Sequence, residues 1–317
     1  MEYSFYSTTA KVDSKMQSLP DKNINLKNRK NQLFATSNEI ENYFKKKLLK
    51  KMDCYFVDIE RKRELNLFKE FSKQVGSNIL PYKPNDITLE AVDLLILKKV
   101  GYNLEGKKII VFGAGNIGSK LSIRLAERNA QVFLWDINEK KLNEVMTGIN
   151  HILPKETTKI NCYKKEKIYD ICVSFLGAEK IIGENFMKNF YENSFIVDGG
   201  IGNFTPEFIK CAIEKKIELI RLDVRLGDRI LEAHVNNYLN DLPIEIGRNK
   251  IEDISYVTGG MYGEKGEIIT DTLTNPTKII GLANGIGGLI PAEQITEIDN
   301  ERIKIFNEII SNTKKNF

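Results

Sequence analysis

Between residues 108 and 222 short apolar blocks alternate with segments of helical period. Ile109-Ile110-Val111-Phe112, Val132-Phe133-Leu134-Trp135, Asp170-Ile171-Cys172-Val173-Ser174-Phe175 and Ser194-Phe195-Ile196-Val197-Asp198 are the clearest blocks, with Ile217 to Leu222 a further one and a weaker run at 160–163. Continuous apolar runs of this length predict strands buried on both faces. Helical patterns fall between them: Ser119 to Arg128, a stretch through Leu142 and Val145, Glu184 to Phe190, and a helix opened by Thr205-Pro206 that runs to Lys215 or Lys216. Proline suits the first helical position, where its missing N–H costs nothing. Strand and helix in alternation predict an α/β fold with a doubly wound parallel sheet.

The flanks are less regular. Residues 1 to about 35 are polar and read as a loose arm, or as a segment ordered only by a partner subunit. Ser37 is a candidate cap for a helix through Ile40, Tyr43, Phe44 and Leu48, with Lys45 to Lys51 toward its end. Cys54 to Val57 suits a short strand, and Glu60 to Lys73 a helix. Ile79-Leu80-Pro81-Tyr82-Lys83-Pro84 reads as an extended connector. Asp86 or Thr88 then caps a helix ending near Gly101. In the tail, Arg229 to Leu239 reads as a helix, 255–258 and 267–270 as strands, and Asn275-Pro276 as the start of a helix through Ile279 and Leu282. Gly281, Gly285 and Gly288 fall at helical spacing there. A last helix is expected from about Asn300 to Asn312. The expected domains are 1–100, mixed or mainly helical; 101–275, the parallel sheet; and 276–317, helices returning to the N-terminal domain.

The 317 residues carry a net charge of +4 and 28% charged positions. That balance points away from nucleic acid and membranes as main partners. No apolar stretch reaches membrane-spanning length, and the first residues lack the apolar core of a secretory signal. Four scattered cysteines and two distant histidines give no metal-ligand spacing, so no metal is expected. These features fit a cytoplasmic protein, with a homodimer as the expected assembly.

The candidate chemistry centres on Gly113-Ala114-Gly115-Asn116-Ile117-Gly118, which follows the 109–112 strand and opens a helix. The first glycine permits the bend, the second lets a pyrophosphate approach the backbone, and the third lets the helix pack on the sheet. Asp136 ends the next strand about 20 residues on, where a carboxylate reaches the adenosine ribose. Strand, G-x-G-x-x-G, helix, strand and acid make the dinucleotide-binding fingerprint in its required context. All six turn residues and Asp136 are therefore candidate cofactor contacts. A carboxylate there repels a 2′-phosphate, which favours NAD over NADP, although Lys140 and Lys141 are close. Phe175, Leu176, Gly177 and Gly199 fall on further loops at the sheet's carboxyl edge and are expected to line the cofactor. Asp198 is read either as a catalytic group or as a turn residue.

A resemblance extends this reading. Asn85-Asp86, then a helix, then Leu104-Glu105-Gly106-Lys107-Lys108 before the glycine turn, resembles the shikimate and quinate dehydrogenases. Gly202-Asn203-Phe204-Thr205-Pro206 is similar to another segment of that group. The layout is also similar to the methylenetetrahydrofolate dehydrogenases, whose Y-x-x-x-K spacing Tyr43 and Lys47 reproduce. The resemblance implies a Rossmann domain, an interdomain cleft, and Asp86 as an acid that binds substrate hydroxyls with Lys83 as a lysine partner. The N-terminal domain and the tail do not match. The expected function is NAD(P)-dependent hydride transfer to or from a small polar substrate, hydroxylated or amino-acid-like. A lyase or cyclodeaminase using NAD without net redox change, and a non-catalytic NAD(H) sensor, are the alternatives.

Overall fold

In a computed structural model the chain is described for residues 2–9, 11, 14–46, 52–240 and 245–315, the last four for backbone only. It divides into two compact units, Met1–Asn236 and Asn237–Phe317.

The first unit begins with a five-stranded sheet. Its elements are β1 (Tyr3–Thr8), β2 (Gln17–Ile24), β3 (Lys27–Phe34), α1 (Ser37–Lys45), β4 (Cys54–Asp58), α2 (Leu67–Val75) and β5 (Ile79–Tyr82), in the sheet order β2-β3-β1-β4-β5. The expected loose arm is thus three strands of a core. Tyr3, Phe5, Tyr6, Ile24 and Phe34 are all buried. The polar residues that suggested an arm alternate with these aromatics and lie on the opposite face or at the edge. Pro20 and Pro81 sit in the two edge strands, where a missing N–H is tolerated.

Strand alternation gives this sheet two faces. Tyr6, Phe34, Tyr55 and Val57 pack with Ile40 of α1 and Phe71 of α2 in an apolar cluster. Thr36, rather than Ser37, caps α1, through a reciprocal capping box with Glu39. Asn66 caps α2, so that helix starts later than the expected Glu60. Lys47, half of the Y-x-x-x-K spacing, lies outside the described residues. Ser7, Asn31 and Tyr82 fall on the other face.

Helix α3 (Pro84–Lys99) leads to the second sheet, with Lys83 rather than Asp86 at its N-cap. There follow β6 (Lys108–Phe112), α4 (Asn116–Glu127), β7 (Gln131–Trp135), α5 (Glu139–Ile152), β8 (Asn161–Cys162), β9 (Ile171–Ser174), β10 (Phe195–Asp198), α6 (Pro206–Glu214), β11 (Glu218–Arg221) and α7 (Asp228–Leu239). Residues 184–189, expected as a helix, form a 3-10 turn. The sheet order is β11-β10-β9-β6-β7-β8, and every pairing is parallel. That is the Rossmann order, with its switch point between β6 and β9. Ile109, Val111, Val132 and Leu134 face α3, α4 and α5, while Ile110, Phe112, Phe133 and Ile196 face α6 and the 3-10 turn. Arg124 of α4 and Arg128, its C-cap, both bond the buried Asp93 of α3, which ties the linking helix to the nucleotide half.

In the second unit, β12 (Arg248–Ile251), β13 (Ile254–Thr258), β14 (Ile268–Thr270) and β15 (Ile279–Leu282) form a separate sheet in that order. Tyr256, Ile268 and Leu282 pack against Phe306 and Ile310 of α8 (Glu297–Lys315). The helix expected after Asn275-Pro276 is instead strand β15. Gly285 and Gly287 have positive φ in the turn beyond it, so the glycine spacing serves a turn rather than a helix face.

Phe71 is fully buried between sheet and helices. Phe71→Ala is expected to cost about 3–5 kcal/mol, read as a lowered midpoint in denaturant unfolding.

Candidate functional site

The carboxyl edge of the parallel sheet opens onto a cleft of about 860 Å³. Its walls come from the glycine turn, the loops after β9, β10 and β11, and the face of the N-terminal sheet that carries Ser7, Asn31 and Tyr82.

The glycine turn is set by contacts that no side chain permits. A Cβ at Gly118 would sit far inside van der Waals contact with the carbonyl oxygen of Gly113. Gly113 has φ +111°, and a Cβ there would lie 2.8 Å from the carbonyl oxygen of Phe175. Gly115 differs: its Cβ position meets nothing within 4 Å. Gly115 is the N-cap of α4 and offers no side-chain bond to the helix, whose first turn has no acidic residue. The first N–H groups of α4 therefore lack a protein anion, and Gly115, Asn116 and Ile117 line the cleft. Open amides at a helix N-terminus suit a phosphate, so the turn fits a dinucleotide pyrophosphate.

Asp136 lies just beyond β7. Its Oδ2 accepts the Ala114 N–H at 2.7 Å and its Oδ1 the Asn138 N–H at 3.0 Å. Lys141 Nζ is 3.5 Å from Oδ2. Asp136 thus braces the turn and leaves the remaining lone pairs of its carboxylate for a further donor.

Phe175, Leu176, Gly177 and Gly199 all line the cleft. Asn203, buried and not singled out as a site residue beforehand, holds these loops in place. It accepts from Ser174 Oγ at 2.6 Å and from the Leu176 N–H at 3.1 Å, and donates to the carbonyls of Leu176 at 3.0 Å and Ala178 at 2.8 Å. Asp198 accepts the Gly202 N–H at 2.7 Å, as a turn residue does, while its other oxygen is buried without a partner.

Asp86 and Lys83 form an ion pair at 2.5 Å, and Lys120 bonds the same carboxylate at 2.6 Å. Burial pushes the Asp86 carboxyl up, but hydrogen bonds from Lys120 and Lys83 outweigh it and hold it below the usual range. Neither Asp86 nor Lys83 is among the cleft-lining residues, whereas their neighbours Pro84, Asn85 and Ile87 are.

The titratable groups that do face the cleft come from elsewhere. Lys62 Nζ is 3.1 Å from Asp58 Oδ2 and 3.1 Å from Glu60 Oε2. Asp58 is fully buried and also accepts the N–H and Oγ1 of Thr8, at 2.9 and 2.7 Å. Tyr82 is opposite Asp58 on β5. Burial, then the negative charge of Asp58, Asp228 and Glu60, pushes the Tyr82 phenol far up, so it stays a neutral O–H. Lys22 reaches the cleft from β2. Lys62 lies beyond β4 in a segment expected to be helical, and Lys22 in the expected arm, so no motif marked either. Among the described residues no cluster of three or more His, Cys, Asp or Glu offers a metal site, and no helix is long and apolar enough to cross a membrane.

Fold and cleft together define a two-part arrangement: a Rossmann sheet whose glycine turn faces the N-terminal sheet. No family model matches the chain. It is 25% identical over 134 residues to a glutamyl-tRNA reductase of Thermosipho melanesiensis, a match covering 42% of this chain and about a third (34%) of that relative. Among solved structures it is similar to shikimate dehydrogenase from Aquifex aeolicus, at 17% identity and TM-score 0.45, over 76% of this chain and 94% of that one. It is also similar to L-tryptophan dehydrogenase from Nostoc punctiforme, at 13% identity and TM-score 0.45, over 76% of each chain. The A chain of dipicolinate synthase from Bacillus subtilis is a further similar structure, at 13% identity and TM-score 0.40, over 75% of this chain and 78% of that one.

Asn203→Ala leaves the Leu176 and Ala178 backbone groups without their side-chain partner, at about 1–3 kcal/mol for each buried group left unpaired. Hydrogen exchange at the Leu176 amide is expected to speed up more than exchange in β6 and β7.

Proposed function

We propose that the protein is an NAD(P)-dependent dehydrogenase, preferring NAD, that transfers a hydride to or from a small polar substrate in this cleft. The observation that carries the reading is the open N-terminus of α4, uncapped at Gly115, facing the same cleft as Lys62 and Tyr82. A bound nicotinamide supplies the hydride chemistry, and the protein supplies orientation and proton handling. The amides of Gly115, Asn116 and Ile117 bind the pyrophosphate. Asp136 takes the ribose hydroxyls and disfavours a 2′-phosphate, with the nearby Lys141 moderating that preference.

Leu176, Gly177 and Gly199 give the loops that carry the nicotinamide half. Gly199 has no alternative there, because a Cβ would enter the Phe175 ring. Proton transfer falls to Lys62, whose ammonium is oriented by Asp58 and Glu60 on the cleft wall. Asp86 and Lys83 keep a supporting place at the start of α3. Tyr82, a neutral phenol on the cleft floor, is a donor to substrate oxygen.

The test is hydride transfer. Absorbance of NADH is followed across hydroxy acids, amino acids and cyclic polyols. Turnover of one class is expected, and the reading fails if none changes the nicotinamide absorbance. Gly118→Ala is expected to abolish NADH binding, measured by quenching of Trp135, the single tryptophan, whose carbonyl accepts the Gly113 N–H at 2.7 Å. Lys62→Met is expected to lower kcat by about a hundredfold, in the range of a lost general acid or base, with a smaller change in KM. An unchanged kcat removes Lys62 from the mechanism.

A further inference from the structure

The β2–β3 hairpin brings one more cation to the cleft. β2 pairs with β3 as Leu19↔Asn31 and then, after an irregularity at Pro20 and Asp21, as Lys22↔Arg29. Such a bulge re-aims the side chain that follows it. Lys22 is only 2% exposed, yet it lines the cleft.

Helix α7 holds this hairpin. Asp228 Oδ1 is 3.1 Å from Lys22 Nζ, and Asp228 Oδ2 accepts the Asn23 N–H at 3.1 Å. One and two turns further along the helix, Glu232 accepts the Asn25 N–H and Asn236 accepts from Asn25 Nδ2, each at 3.1 Å. Residues 228, 232 and 236 recur every four positions and so share one helix face. The hairpin, and Lys22 with it, is fixed from outside the N-terminal sheet.

Burying a lysine is costly unless its hydrogen bonds are met. The ammonium has three donors, and Asp228 takes one. Two polar atoms on the same cleft wall are buried without partners: Ser7 Oγ, on a residue 3% exposed, and Asn31 Oδ1, on a residue 6% exposed. The charges are also sorted by depth. Lys11, Lys22, Lys62, Arg221 and Arg225 line the cleft, against the single acid Asp223. The partners of Lys22 and Lys62, which are Asp228, Asp58 and Glu60, are buried or nearly so and do not line the cleft, whereas Glu179 beside Lys11 is exposed. Arg225 is paired with Asp223 in the lining itself, so the cations whose carboxylate partners stay out of both the lining and the solvent are Lys22 and Lys62.

We propose that Lys22, set by Asp228 on the cleft wall that also carries the unpartnered Asn31 Oδ1, is a specificity-determining residue that seats a carboxylate of the substrate. One buried ammonium, partly neutralised by Asp228, matches a single negative charge rather than a phosphate dianion. The free donors of Lys22 take the carboxylate oxygens, and Oδ1 of Asn31, two residues along β3 from Arg29, which pairs with Lys22, takes a donor on the neighbouring substrate atom. The proposal deepens the dehydrogenase reading and rests on it for the word substrate. The carboxylate seat itself is testable without turnover.

The experiment is calorimetric titration of the full chain with acetate, oxalate, malonate and succinate, with and without NAD. At least one carboxylate is expected to bind saturably in the millimolar range or tighter, and its affinity to fall at least tenfold in Lys22→Met. Lys22→Met strands Asp228, so the paired variant K22M/D228L, which removes both charges, is titrated alongside, with thermal melting as the fold check. The same tenfold loss is expected there. The proposal is overturned if none of the four binds the wild-type chain, or if a folded variant binds as the wild type does. Quenching of Trp135 by NADH is read on the same samples. Absence of that quenching counts against the dinucleotide reading, whereas NADH binding without Lys22-dependent carboxylate binding overturns this inference alone.

Discussion

The close approach of Gly118 to the Gly113 carbonyl is the contact on which the site depends. It lets α4 start directly behind β6, so the helix N-terminus lands at the switch point of the sheet. Gly113 in turn passes close to the Phe175 carbonyl, which couples the turn to the loop after β9. Asp136 closes the arrangement from β7 by accepting the Ala114 N–H. Any side chain at Gly113 or Gly118 separates these parts, whereas Gly115 has space around it because the ligand side of the turn is open.

The second half of the cleft follows from strand alternation in the N-terminal sheet. One face is aromatic and apolar and is covered by α1 and α2. The other carries a second aromatic cluster of Tyr3, Phe5, Phe56 and Tyr82, with the polar Ser7, Asn31 and Asp58 on the same face. The two halves share one compact unit, joined by α3 and by the Asp93–arginine bonds and braced by α7 against the β2–β3 hairpin. Gly227, just before α7, passes so close to Ile87 of α3 that a Cβ would lie 2.7 Å from its carbonyl oxygen. The segment that leaves β11 is thereby drawn onto the linking helix.

The Rossmann sheet was legible because its strands are continuous apolar blocks and its glycine turn has a strict local geometry. Five of its six strands and the cleft loops at Gly177 and Gly199 follow from that pattern, and the sixth, β8, coincides with the weaker run at 160–163. In the N-terminal sheet β4 was legible at Cys54 to Val57 and β5 lies in the stretch read as extended, but β1 to β3 were not, because strands rich in Ser, Asn and Lys read like a loop. Lys22 and Lys62 were hidden for the same reason: each depends on a turn or bulge that brings it to the cleft from a strand end. The N-D pair drew attention to Asp86, yet the helix begins two residues earlier at Pro84, and the rotation places Asn85 on the cleft instead. In the tail, glycines spaced as in a helix belong to a strand and its turn, since periodicity alone does not separate the two in a short segment.

A crystal structure of the protein grown with NAD tests the central claim most directly. The account predicts the pyrophosphate against the amides of Gly115, Asn116 and Ile117, the adenosine ribose at Asp136, and the nicotinamide directed toward the wall that carries Lys62 and Tyr82. NAD bound elsewhere, or a cleft that stays empty at saturating NAD while the glycine turn keeps its conformation, would contradict it.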